Sequence, residues 1–295
     1  MNILITGANG FVGYFLCRQL LQKGCTVIAT GRGACRLPYS GNPQFTWLPM
    51  DFTNPFDVHD VFTAVRPAVV VHAGAMSKPD ICEQNQWLCY STNVEGTLNL
   101  LASAEEWKSF FLFLSTDFVF DGEQGMYTEE DAVNPVNFYG RSKADAEEAV
   151  KEYPYDWAIA RTVLVYGKPV PGQTNLLYTI KEKLEKGLPY NVVNDQFRTP
   201  TFVENLAKGL VAIIEKRAAR IYHLSGKDIL TPYEMALSAA HHLGLDTSLL
   251  KKVTATEFAE PAKRPPRTGF QITRARNDLQ YEPISFEVGL RKTFA

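Results

Sequence analysis

The sequence has no apolar run long enough to cross a bilayer. The longest, such as "AVVVHAGAM", stop well short of the roughly 20 residues a spanning helix needs, so no membrane partner is expected. A basic excess is missing as well. Thirty Lys and Arg stand against 32 Asp and Glu, a formal charge of −2, which argues against a nucleic-acid partner. Cysteine is sparse: Cys17, Cys25, Cys35, Cys82 and Cys89 are odd in number and contain no CxxC pair, so neither a disulfide framework nor a zinc site is expected. Histidine offers only the adjacent pair His241-His242, with no third ligand at helical spacing, and no metal is expected. The opening "MNILITGANG" lacks the cationic stretch of an export signal. Together with reduced cysteines, this leads us to expect a cytoplasmic protein.

What is present is alternation. Through the first 160 residues, short β-branched or aromatic runs ("NILIT", "CTVIAT", "AVVVHA", "FFLFLS", "YDWAIAR") alternate with amphipathic stretches near 11–23, 55–66, 80–105 and 139–152. Strands apolar at every position need cover on both faces, and strand–helix alternation gives a parallel sheet. The expected fold is α/β, a doubly wound parallel sheet whose ligands bind beyond the carboxyl ends of the strands. After residue 165 the pattern loosens into proline-rich and glycine-rich connections. We expect residues 1–165, with about 195–217, to form a dinucleotide-binding domain. Residues 166–194 and 218–295 are expected to form a smaller α/β substrate-binding lobe over its edge.

The turn "ITGANGFVG" carries the first chemical signal. Gly7 permits a tight turn after the first strand, Gly10 allows backbone to approach a pyrophosphate, and Gly13 lets the helix pack on the strand. The free N–H groups at Phe11 and Val12, with the positive end of the helix, suit phosphate. The second strand ends "IATGRGACR". An NAD-tuned site usually places an acid here for the ribose hydroxyls. This chain has Arg32, with Arg36 close behind, and a guanidinium can clamp a 2′-phosphate. NADP(H) is therefore preferred and NAD(H) possible; a solvated loop arginine would read the same way.

The second signal is "NFYGRSK". Tyr139 is the only one of the 13 tyrosines with a lysine four residues on, which places Lys143 on the same helical face. Some twenty residues upstream, "FFLFLSTDFVFDG" puts Ser115, Thr116 and Asp117 at a strand's carboxyl end, where ligand chemistry is expected.

With "TGANGFVG", "HAGA", "NVEGT", "STDFVF", "YGRSK" and "RTVLVYG" on the page, the chain resembles the extended short-chain dehydrogenase/reductase superfamily, Rossmann-type enzymes using nicotinamide cofactors. Within it, "STDFVFDG", "NPVNFYGRSKADAE" and "NDQFRTPTFVENLA" are similar to the dTDP-4-dehydrorhamnose reductase family, over nearly the whole chain. The resemblance implies that Tyr139 gives a proton to a carbonyl oxygen as hydride arrives. Lys143 would lower the tyrosine pKa and hold the nicotinamide ribose, and Thr116 would hold the same carbonyl oxygen. It also implies that Asp51, Phe52, Ala73, Gly74 and Ala75 line the adenosine and ribose side, with Asn93 behind the lysine. Met76, Asp117, Phe118, Asn175 and Arg198 are expected on the substrate side, where a nucleotide sugar would sit. Relatives often dimerise through the 80–105 and 139–152 helices, so a homodimer is possible.

The chain departs from that family on the substrate side. Phe118 stands where tyrosine is usual, Leu164 where tryptophan is, and Arg198 where glycine is typical. Arg198 could meet a substrate anion or form an internal ion pair. A dehydratase would carry Asp-Glu after the threonine, whereas here Asp117 is followed by Phe118. A nucleotide-sugar epimerase remains an alternative. So does a non-catalytic NADP-binding scaffold like the methionine adenosyltransferase regulatory subunit.

Overall fold

The computed structural model describes residues 1–258 and 260–295. Its main sheet contains β1 (Asn2–Thr6), β2 (Thr26–Gly31), β3 (Phe45–Pro49), β4 (Val69–His72), β5 (Phe110–Thr116) and β6 (Trp157–Thr162). Beyond β7 (Val165–Tyr166), β8 (Tyr190–Val193) and β9 (Thr201–Phe202), it takes up β10 (Ile221–His223), while β11 (Leu250–Val253) lies outside it. The order is β3-β2-β1-β4-β5-β6-β10, with every pairing parallel. This is the doubly wound order, with its switch point between β1 and β4 and one further strand at the far edge.

The apolar runs explain the layering. Ile3, Ile5, Val69, Val71, Phe110 and Leu112 are buried in one core, while Leu4, Val70, Phe111 and Phe113 are buried in the other. Successive side chains of a strand point to opposite faces, so these strands bury apolar surface on both sides. One face is covered by α1 (Phe11–Gln22) and, much later, α8 (Val203–Lys216) and α10 (Thr273–Leu279). The other is covered by α2 (Pro55–Val65), α5 (Gly96–Glu106) and α6 (Phe138–Lys151). Helices α1 and α8 share Leu16, Leu20, Leu206 and Leu210 in one core, and Arg18–Glu204 (2.8 Å) and Lys23–Glu215 (2.6 Å) bridge them outside it. Strand β3 has no fully buried residue, so no continuous apolar run marks it in the sequence.

The stretch 80–105 is not one helix. It breaks into α3 (Pro79–Gln84), α4 (Gln86–Tyr90), a π-helical turn over Ser91–Glu95, and α5. Asn85 leaves helical geometry at φ −129, and the widened turn carries Asn93, whose bonds are described below.

The segment 218–295 contributes both β10 to the main sheet and α10 beneath it. It also supplies α9 (Pro232–Leu243) and α11 (Phe286–Phe294), which pack with α7 (Leu176–Glu185) into smaller clusters around Tyr166, Leu177 and Phe286, and around Ile180, Ala236 and Leu250. Two short parallel pairs, β8 with β11 and β7 with β9, border the carboxyl edge of the main sheet. Among the described residues no helix is long and apolar enough to cross a membrane.

Candidate active site

A cleft of about 1150 Å³ runs along the carboxyl ends of the central strands. Among the described residues, Asn93 and Asn175 are the only residues expected at the site that do not line it. Asn175 instead caps α7, accepting from the Tyr178 amide and donating to the Gly167 carbonyl at 2.7 Å. Its side chain is consumed by the backbone.

At one end, Gly7 adopts φ +67, and a Cβ there would lie 2.7 Å from the Gly74 backbone. Only glycine lets the first turn and the β4 loop touch. Helix α1 starts at Gly10 with no side-chain cap and no acid in its first turn. Its first amide groups therefore face the cleft unclaimed. Asn9, in the same turn, accepts from the Arg36 amide (2.9 Å) and donates to the Ala34 carbonyl (3.0 Å), while the Arg36 guanidinium bonds the Asn9 carbonyl (3.3 Å). Arg36 is thus fastened to the glycine turn. Arg32 is loose by comparison: it is 80% exposed, with Asp51 4.0 Å away. An uncapped helix start and two guanidinium groups fit the pyrophosphate and phosphate of a dinucleotide.

Behind this loop lies a directed chain of buried hydrogen bonds that the sequence did not reveal. The Gly74 amide donates to Thr6 Oγ1 at 3.2 Å, and Thr6 Oγ1 lies 2.7 Å from His72 Nδ1. His72 Nε2 lies 3.1 Å from Thr97 Oγ1, which donates to the Asn93 carbonyl at 2.7 Å. Because Thr97 spends its proton on Asn93, it must accept from Nε2–H, which leaves Nδ1 to accept from Thr6. Burial, with the nearby Lys143 charge, holds His72 well below its ordinary pKa and hence neutral. The Asn93 side chain continues inward, donating to Ser142 Oγ (2.9 Å) and the Met76 carbonyl (3.1 Å), while its oxygen accepts from the Met76 amide (2.8 Å).

The catalytic end is set by the start of α6. Asn137 caps it by accepting from the Gly140 amide (2.8 Å) and anchors it by donating to the Lys263 carbonyl (2.7 Å). Gly140 is required because a Cβ would collide with the Phe118 carbonyl; α6 is thereby seated against the turn that follows β5. Tyr139 then meets Phe118 edge-on at 5.9 Å. Its phenol is pushed above the ordinary tyrosine value by burial, with the Thr116 hydroxyl pulling the other way and the Asp117 charge adding to the rise.

Lys143, expected to lower this phenol, makes its hydrogen bond to the strand beside it. The ammonium donates to the Leu114 carbonyl at 2.9 Å and lies 3.8 Å over the Phe113 ring. Burial lowers its own pKa to about 7, opposed by the charges of Glu147 and Cys89.

On the substrate side, Arg198 lines the cleft but is only 4% exposed, and its donors are already used. They go to the carbonyls of Phe197 (2.9 Å), Pro265 (2.7 Å) and Pro266 (3.2 Å) and to Gln196 Oε1 (3.2 Å), with Nε 3.9 Å from Asp117. It braces two loops with both terminal nitrogens, and the remaining Nε–H faces Asp117. Leu164 lines the cleft at φ +35, and Met76 and Phe118 share the wall. Arg264, pairing with Asp80 (2.8 Å), ties the C-terminal segment to α3 at the cleft's rim.

Comparison with known proteins agrees with this geometry. The family described as the RmlD substrate binding domain matches residues 1–295. The chain is 28% identical to "Methionine adenosyltransferase 2 subunit beta" of Bos taurus, over 99% of this chain and 86% of that one. It is 31% identical to "Spore coat polysaccharide biosynthesis protein SpsK" of Bacillus subtilis (strain 168), over 90% and 87% respectively. Among solved structures it is similar to the dTDP-4-dehydrorhamnose reductase from Bacillus anthracis in complex with NADP, with TM-score 0.87 and 27% identity, covering 99% of this chain and 98% of that one. The chain therefore belongs to the RmlD family of the extended short-chain dehydrogenases/reductases, which are NAD(P)-dependent enzymes.

Proposed function

We propose that the protein is an NADPH-dependent reductase of a 4-keto group on a nucleotide-linked deoxysugar, with dTDP-4-dehydrorhamnose the first substrate to test. The observation that carries this reading is the convergence of Thr116, Tyr139 and Lys143 on one cleft with the glycine turn and its uncapped helix. Residues 1–165 with about 195–217 would hold the dinucleotide, and 166–194 with 218–295 the sugar nucleotide, apart from β10 and α10, which complete the main sheet and its cover.

When bound, the reduced nicotinamide supplies hydride to the carbonyl carbon. Tyr139 delivers the proton to the carbonyl oxygen, and the Thr116 hydroxyl holds that oxygen in place. A phenol raised by burial keeps its proton until a carbonyl oxygen gaining charge takes it. Lys143 binds the nicotinamide ribose and steadies the tyrosinate left after transfer. Arg36, braced by Asn9, with Arg32 favours a 2′-phosphate, so NADP(H) is the preferred cofactor. The five free cysteines suit a reducing cytoplasm, and Trp87, 78% exposed on α4, suits a homodimer contact there.

A specific observation favours a second reading, a cofactor-binding regulatory subunit. The bovine methionine adenosyltransferase subunit matches nearly end to end, and Lys143 rests on Leu114 rather than on the phenol. Following NADPH absorbance with dTDP-4-dehydrorhamnose and a panel of nucleotide sugars decides between the readings. A reductase consumes NADPH in step with product. An epimerase converts sugar with no net change, and a regulatory subunit binds NADPH and consumes none.

A further inference from the structure

We propose that Thr268, in the C-terminal segment, is a positioning residue for this reduction: it clamps one oxygen of Asp117 so that the other sets which way the Thr116 hydroxyl points. The proposal rests on the reductase reading of the site. Thr268 is fully buried and held in place by the backbone, its amide donating to the Phe197 carbonyl at 3.1 Å beside the Phe197–Arg267 bridge. Its hydroxyl donates to Asp117 Oδ2, and the Arg198 Nε lies 3.9 Å from the same oxygen. Asp117, 3% exposed, accepts from Thr116 Oγ1 at 3.1 Å on its other oxygen, Oδ1.

The two oxygens are therefore inequivalent. A guanidinium and a hydroxyl donor beside Oδ2 disfavour a proton there, so a proton taken up by Asp117 belongs on Oδ1, facing Thr116. With the carboxyl ionised, Thr116 gives its hydrogen to Oδ1, its oxygen accepts from the Phe118 amide (3.2 Å), and it has nothing to donate into the cleft. With the carboxyl protonated at Oδ1, Asp117 donates to Thr116, and the Thr116 hydrogen is freed for a carbonyl oxygen or for the phenolate. Burial pushes Asp117 toward the protonated form, while Arg198, Thr268 and Thr116 favour the ionised one. The other ionisable groups around it are Tyr139 from α6 and, beyond Arg198, Arg264 and Glu260. "RPPRTGF" thus reaches the reacting centre through two hydrogen bonds.

The test is the Asp117 titration, followed by carbon-13 NMR of labelled aspartate in the intact protein and assigned with Asp117→Asn. Thr268→Val removes the donor at nearly constant volume and should raise the Asp117 midpoint by about one pH unit, as expected for a lost hydrogen bond to the ionised form. Thr268→Ser, which keeps the hydroxyl, should restore it. With NADPH and dTDP-4-dehydrorhamnose, Thr268→Val should lower kcat roughly tenfold with KM for NADPH unchanged, and its kcat–pH profile should shift with the carboxyl. An unmoved Asp117 midpoint in Thr268→Val overturns the proposal, as does a Thr268→Ser midpoint away from wild type. Should Thr268→Val fail to fold, Thr268→Ala takes its place with the same expectations. If the wild type never consumes NADPH, the reductase reading fails, while the carboxyl titration still decides the contact.

Discussion

Glu147 and Arg161 face each other as a two-pronged ion pair, Nη2 2.6 Å from Oε2 and Nε 3.0 Å from Oε1, both side chains at most 2% exposed. Glu147 also accepts from Ser115 at 2.5 Å, so α6, β5 and β6 are locked together just behind the cleft. Removing one member leaves a buried charge uncompensated, which typically costs about 3–5 kcal/mol. Arg161→Met should therefore lower the urea-unfolding free energy by that order. The double change Arg161→Met with Glu147→Leu should recover much of the loss.

Tyr139→Phe keeps the ring packed against Phe118 and removes only the proton donor. Turnover should fall to background, while NADPH affinity by calorimetry stays within about twofold. Activity retained in this variant would show that another group supplies the proton.

Lys143 ties stability to pH. Its folded pKa of about 7 lies below the 10.5 of an unperturbed lysine. Between these values the unfolded chain binds more proton than the folded one, so this group makes stability rise as pH rises from about 7 toward 10 and weakens it as pH falls back. Lys143→Met, having no proton to gain, should flatten that slope. Unfolding free energies of both proteins across this window check the sign.

Arg36 is fastened to the glycine turn, whereas Arg32 is free in solvent, so the two should not contribute equally. A hydrogen bond to a charged group contributes about 1.5–3 kcal/mol. Arg36→Ala should therefore weaken NADPH binding roughly tenfold to a hundredfold and leave NADH nearly unaffected. Arg32→Ala should have the smaller effect. Paired titrations with both dinucleotides separate 2′-phosphate recognition from general loss of charge.

The fold was legible because buried parallel strands write themselves as continuous apolar runs, and because Gly7 and the Tyr139/Lys143 spacing are local signals. The half-exposed β3 left no such run. The break in 80–105 left no glycine or proline in the sequence at Asn85, where the backbone leaves helical geometry, and Asn93's bond to Ser142 joins residues 49 apart. The same reason hid the His72 chain and the Thr268–Asp117 contact: each joins residues dozens to more than a hundred positions apart. Asn175 and Arg198 were expected on the substrate side from the resemblance, yet a resemblance cannot show that backbone groups have already claimed the side chain.

The pairing of α1 with α8 also bears on how the chain emerges from a ribosome. The first helix is synthesised early, but the helix that covers much of its apolar flank follows nearly two hundred residues later. Until then Leu16 and Leu20 lack part of their cover, and such exposed surface is where nascent chains stick to one another. That face of the sheet can therefore close only late, once residues 203–216 reach α1.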